Sequence, residues 1–226
     1  MLVSHKYKFI YTKTLKTAGT SIESYFERFC MHDGEFQQLH YREEYESEVG
    51  IVGRRRLGSK ESKWWNHMPA KNIKENLGDE IWNSYFKFCS IRNPYEKCIS
   101  YFEHLGKKKK ISLTENLKAF LRYPTYTNEQ RQFLIILKRG RMVDRNKYLI
   151  DGEFCLDDYI RFENLNSDIE RICKILSIPF EPEYIPTFKS EFRRPKATVD
   201  KLYTQKSIDL VRTMFAYEFE KFGYKT

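Results

Sequence analysis

The first thirty residues limit what this chain can fold into. An apolar run from Tyr7 to Tyr11 passes into Lys16-Thr17-Ala18-Gly19-Thr20-Ser21, and an amphipathic stretch follows to about Met31. This order predicts a strand at Tyr7–Lys13, a short loop, and a helix at Thr20–Met31. Such a loop is an anion cradle: N–H groups at a helix N-terminus point outward, the helix dipole favours negative charge, and Gly19 allows close backbone approach. Lys16 adds a full positive charge, and the hydroxyls of Thr17, Thr20 and Ser21 can donate to phosphate oxygens. It is not a Walker A loop, where the lysine follows the last glycine; here Lys16 precedes Gly19. By itself the segment also fits an ordinary helix cap.

Two further segments repeat the pattern. Phe86–Ile91 reads as a buried strand running into Arg92-Asn93-Pro94-Tyr95-Glu96-Lys97-Cys98-Ile99-Ser100. Asn93 suits an N-cap and Pro94 the first helical position, which predicts a helix at Pro94–Leu105. Arg92 then ends a strand with its planar fork available to a phosphate, and Ser100 lies two turns into the helix. Asp158–Phe162 followed by Ser167–Leu176 gives a third strand and helix. Strands alternating with helices predict an α/β fold, a doubly wound and mostly parallel central sheet with helices on both faces, and ligands at the carboxyl ends of the strands. The stretch 32–63 has no clear periodicity and is expected to be irregular. About Asp200–Phe222 reads as one long helix packed on the sheet.

The ordered pair, Lys16-Thr17-Ala18-Gly19-Thr20-Ser21 after one strand and Arg92-Asn93-Pro94-Tyr95 with Ser100 after a later one, resembles the sulfotransferases that use 3′-phosphoadenosine 5′-phosphosulfate. The carbohydrate-type branch is the most similar. Leu15 stands where that branch usually has proline. The likeness extends to Asn66-His67-Met68-Pro69-Ala70, Thr127–Leu134, Arg161-Phe162-Glu163-Asn164-Leu165 and the ending Phe215–Tyr224, so it covers most of the chain. It implies a P-loop-like sulfotransferase fold formed as a single domain over residues 1–226. It implies that Lys16, Thr17, Ala18, Gly19, Thr20 and Ser21 grip the 5′-phosphosulfate, that Arg92 and Ser100 grip the 3′-phosphate, and that His67 occupies the family's histidine position. A late basic loop covers the nucleotide in related enzymes, so Arg193 and Arg194 either reach the 3′-phosphate or form a solvated loop.

Sulfuryl transfer resembles phosphoryl transfer in asking the protein mainly to position reactants and stabilise charge. The transferring group carries less charge than a phosphoryl, so Lys16 and backbone amides can suffice without a metal. Lys16 would stabilise charge on the leaving oxygen. A histidine suits removal of the acceptor proton, and of the five in the chain His67 is the choice, with Glu23 in reserve. Trp64 and Trp65 beside it are either sugar-stacking faces or, for one of them, core. Gln130 either hydrogen-bonds the acceptor or lies on a helix surface. Arg54-Arg55-Arg56 reads as a solvated loop or an acceptor-side patch, Lys107–Lys110 as a solvated helix end or a loop over the substrate cleft, and Arg161 with Glu163 as a buried pair.

The net charge of +9 implies an anionic partner without naming it. The predicted activity is sulfuryl transfer to a hydroxyl, on a carbohydrate. The rivals are a nucleotide-dependent phosphotransferase and a non-catalytic nucleic-acid binder. The first lacks its Walker A lysine, and the second lacks any RNP, KH or helix-turn-helix signature, so no nucleic-acid partner is expected. Five cysteines without CxxC spacing predict neither a zinc site nor a disulfide framework. No run approaches a membrane span and no signal peptide is evident, so a cytoplasmic enzyme is expected.

Overall fold

The computed structural model describes residues 1–55, 62–106, 110–186 and 201–226. Its strands are β1 (Leu2–Ser4), β2 (Phe9–Thr12), β3 (Tyr45–Glu46), β4 (Gly50–Val52), β5 (Phe86–Ile91), β6 (Leu149–Ile150), β7 (Glu153–Phe154) and β8 (Asp158–Arg161). Its α-helices, in chain order, are α1 (Gly19–Glu27), α2 (Ala70–Leu77), α3 (Asp79–Ser84), α4 (Pro94–Leu105), α5 (Leu113–Arg122), α6 (Asn128–Lys138), α7 (Leu165–Ile175), α8 (Gln205–Met214) and α9 (Ala216–Phe222). Contacts group the chain into two compact units, Met1–Arg92 with Asp144–Phe188 and Asn93–Val143 with Lys189–Thr226.

The first unit is mixed α/β, built on a six-stranded sheet in the order β3-β4-β1-β2-β5-β8. The expectation of a mostly parallel sheet is corrected: only β2-β5 and β5-β8 pair in parallel, while β1-β2, β1-β4 and β3-β4 are antiparallel. The physical reason lies in residues 5–8. Four residues can turn a hairpin, whereas a parallel return needs a crossover of a dozen or more. Lys8 takes a left-handed φ of 51° there. The stretch 32–63 is not wholly irregular either, since it supplies β3 and β4, which are too short for periodicity to reveal.

Phe9 and Tyr11 of β2, Phe88 of β5 and Ile160 of β8 lie on one face of the sheet, packed by Ile22, Tyr25 and Phe26 of α1 and Ile169, Ile172 and Cys173 of α7. The Phe26 and Phe88 rings meet edge-on with centroids 5.1 Å apart. On the other face Val3, Ile10 and Cys89 are equally closed to solvent. Burying both faces makes the sheet a rigid platform, and the loops at its strand ends inherit that rigidity.

The second unit is helical. Asn93 caps α4 through Tyr95 N (3.0 Å), with Pro94 at the first position, so this start follows the sequence. Its core joins Ile99 and Phe102 of α4, Phe133 and Leu137 of α6, Val211 of α8 and Phe219 of α9. The expected long final helix is two, broken at Phe215 (φ −112°, ψ 22°), and the first of them packs on α4 and α6 of its own unit. No glycine or proline marks the break, so helical periodicity runs through it unchanged.

Candidate active site

The turn between β2 and α1 is built from a strained backbone and a buried charge. Lys16 (φ 62°) and Ala18 (φ 59°) are both left-handed without being glycine, a conformation that surrounding contacts must hold in place. Ala18 is the N-cap and offers no side-chain acceptor; its carbonyl takes the N–H groups of Ser21 (2.8 Å) and Ile22 (3.1 Å). The N–H groups of Thr17, Ala18, Gly19 and Thr20 meet no acceptor among the described residues. Four adjacent donors at a helix N-terminus form an anion-binding concavity.

Hydroxyls lock this turn to the neighbouring strand. Thr17 Oγ1 lies 2.8 Å from Thr14 Oγ1 and 2.7 Å from Ser90 Oγ, and Tyr11 OH lies 2.9 Å from Ser90 Oγ. Thr14 also donates to the Ser90 carbonyl. The Thr17 hydroxyl, expected to reach a phosphate, is therefore committed to structural bonds, and the residue is fully buried. Leu15, at the position where proline is usual, uses the N–H that proline lacks: it donates to Asp144 Oδ2 at 2.5 Å. Asp144 is 4% exposed. The departure in sequence is thus matched by a tether that no local pattern announces.

Beneath the loop lies a cluster of charges that the sequence did not reveal. Glu23 on α1 is fully buried and paired with Lys13 Nζ (2.7 Å), the Met1 amino group (2.7 Å) and Arg55 (3.2 Å). Arg55 also bonds Glu27 (2.6 Å), which Arg42 contacts as well. Burial pushes the Glu23 carboxyl up, but Lys13, the amino group and Arg55 together pull it well below the usual carboxylate range. A carboxylate so held is a poor proton acceptor, and Glu23 is set aside as the base. Arg55, expected in a solvated loop, is instead 3% exposed. Lys13 also donates to Thr20 Oγ1 (3.2 Å), and it crowds Gly19, where an added Cβ would lie 2.9 Å from Lys13 Cγ. Glycine is needed there for space.

Arg92 and His67 converge on the same loop from different elements. Arg92, just past β5, donates from Nη1 to the Lys16 carbonyl (3.3 Å) and stacks on the Phe162 ring at 4.0 Å. His67 (φ 57°) bonds the Lys13 carbonyl through Nδ1 at 3.1 Å. A carbonyl only accepts, so Nδ1 carries the proton and Nε2 is left as the basic nitrogen. Burial chiefly, with Lys13 nearby, lowers the imidazole to about 3.

Other expected site residues fall elsewhere. Trp64 is 1% exposed and its indole donates to Glu46 Oε2 (2.9 Å), so it is core and presents no face to a sugar; Trp65 is 37% exposed. Gln130 is the third residue of the α6 capping box, accepting from Thr127 N (2.9 Å) and donating to the Lys201 carbonyl (2.9 Å). Both ends of that amide make structural bonds, the helix-surface role that the sequence offered as the alternative. Ser100 lies on α4 in the second unit. Glu163 is exposed, so it forms no buried pair with Arg161. Arg193, Arg194 and Lys107–Lys109 lie outside the described residues. A cavity of about 170 Å³ lined by Lys6, Tyr7, Arg28, Phe29, Met31 and Asp33 sits at the other end of β2 and α1.

An uncharacterized protein of Archaeoglobus fulgidus is 28% identical over 123 residues, covering 50% of this chain and 86% of that protein. No solved structure matches. A model of the sulfotransferase family matches residues 1–225. That match runs from β1 through the donor-rich loop to α9, and the chain therefore belongs to the sulfotransferase family.

Proposed function

We propose that this chain transfers a sulfuryl group from 3′-phosphoadenosine 5′-phosphosulfate to an acceptor hydroxyl on a carbohydrate, acting as a single sulfotransferase domain. The observation that carries the reading is the turn of residues 14–20, where four N–H groups that meet no acceptor among the described residues, and Lys16, sit beside Arg92. The nucleotide supplies an activated sulfuryl group on a phosphate leaving group; the residues supply position and charge. In this reading the amides of Thr17 to Thr20 bind the 5′ end, and Arg92 provides the fork for the 3′-phosphate.

Lys16 neutralises charge on the oxygen between sulfur and phosphorus as that bond breaks. His67 Nε2 takes the hydroxyl proton while the acceptor oxygen bonds sulfur, leaving adenosine 3′,5′-bisphosphate and a sulfate ester. A neutral imidazole lacking a proton at Nε2 is ready for that role. Its weak basicity rises once a multiply charged anion occupies the adjacent loop, because a nearby negative charge favours the imidazolium. Trp65 is the exposed aromatic face available to an acceptor ring. No helix among the described residues is long and apolar enough to cross a membrane.

Calorimetric titration with adenosine 3′,5′-bisphosphate in EDTA, set against AMP and ATP, tests the donor. Micromolar binding that requires the 3′-phosphate supports the reading, and preference for Mg²⁺-ATP overturns it. A screen of sugar hydroxyls with the labelled donor then tests the acceptor class.

A further inference from the structure

Helix α5 presents its apolar side outward. Its half-buried residues are Glu115, Asn116 and Ala119, whereas Leu113, Leu117, Phe120 and Leu121 are 89%, 58%, 50% and 70% exposed. At 100° per residue these four form one stripe of roughly 100°, the arc that a surface helix normally turns to the core. The rotation is fixed within the second unit. Ser112 and Glu115 form a capping box, Glu115 Oε1 pairs with Arg139 Nη2 at 3.0 Å, and the helix packs on α6.

The surroundings of the stripe are cationic and aromatic. Residues 110–141 hold seven Lys and Arg against two acidic residues, and Lys118 and Arg122 are exposed on α5 itself. At the C-terminal end Tyr123 and Tyr126 stack with centroids 5.1 Å apart, and Arg122 (5.8 Å) and Lys138 (5.5 Å) lie over the Tyr123 ring. A second copy docked face to face would bring two basic surfaces together. A single convex helix with a continuous apolar stripe, basic neighbours and interfacial tyrosines matches instead the requirements of an anionic lipid surface.

We infer that α5 seats the protein peripherally on an anionic bilayer. Leu113, Leu117, Phe120 and Leu121 enter the acyl boundary, Lys118 beside the stripe meets lipid phosphates, and the tyrosines sit at headgroup depth. This inference is independent of the sulfuryl donor or acceptor.

Flotation of the full chain with vesicles of phosphatidylcholine alone, and with phosphatidylglycerol added, tests it. Binding only to the anionic vesicles is expected, weakened by salt and reduced at least about ten-fold by Leu117→Glu/Leu121→Glu. Those positions are exposed, and circular dichroism of the variant checks its fold. As a second measurement, Leu117→Trp should gain fluorescence on binding and be quenched by brominated acyl chains. No binding to anionic vesicles overturns the proposal, as does binding that the double variant or bromine leaves unchanged. A dimer that the double variant converts to monomer overturns it in favour of a second copy.

Discussion

Replacing Glu23 by glutamine removes the carboxylate that Lys13, the Met1 amino group and Arg55 share beneath the donor loop. Arg55 keeps Glu27 at 2.6 Å, so the burden falls on the two buried cations that lose their ion pair to Glu23, Lys13 at 2% exposed and the Met1 amino group at 0%. Breaking a buried pair by removing one partner costs about 3–5 kcal/mol. An independent ceiling agrees. Lys13 can escape the penalty by losing its proton, which costs an ordinary lysine about 4.6 kcal/mol at pH 7, from a reference near 10.4 and about 1.4 kcal/mol per unit, and the Met1 amino group can do so for at most about 1.4 kcal/mol more, from a reference near 8. The sign follows from linkage: a lysine neutral only in the folded variant binds a proton on unfolding, so the variant gains stability relative to the parent as pH rises toward 10.4. The gap between the two proteins should therefore shrink from about 4.6 kcal/mol at pH 7, with at most about 1.4 kcal/mol more from the amino group, to about 2 kcal/mol at pH 9. Urea unfolding followed by circular dichroism and by tryptophan fluorescence, at pH 7, 8 and 9 in one salt, measures it; coincident curves license the two-state treatment. A variant within about 1 kcal/mol of the parent at pH 7, or a gap that does not narrow, would refute the reasoning.

Three further outcomes are expected. Lys16→Ala lowers the turnover number about 10²–10³-fold, whereas Arg92→Ala chiefly weakens adenosine 3′,5′-bisphosphate binding, by about 1.5–3 kcal/mol in calorimetry; near-normal turnover in Lys16→Ala removes the leaving-group role. Leu15→Pro deletes the N–H that Asp144 accepts and costs about 1–3 kcal/mol, while Leu15→Ala keeps it and stays close to the parent in thermal unfolding. His67, held neutral down to about 3, binds a proton on unfolding below about 6.5, so stability falls with acid between these values by at most about 1.4 kcal/mol per pH unit; His67→Asn removes that component and, if His67 is the base, cuts turnover about 10²–10⁴-fold.

Features that act within a few residues are legible in the chain itself. The β2 strand, the loop from Lys16 to Gly19, the Asn93 cap with Pro94, and the strand-to-helix order at Asp158 can all be read there, because caps, turns and periodicity depend on near neighbours. The short strands β3 and β4 and the break at Phe215 carry no such local mark. Trp64 and Gln130 are chemically suitable for a sugar, and only burial or a committed amide shows that each is occupied otherwise.

The pattern that resembles the family lies in contiguous residues that share the backbone of a single turn, so the sequence by itself determined the loop between β2 and α1 and the family it points to. What holds that turn came from the tertiary structure: Asp144 reaches Leu15 across 129 positions, and Arg55 reaches Glu27 across 28. Buried charges and hydroxyls find partners only when the sheet brings distant segments together, and no local periodicity records which partner each will meet.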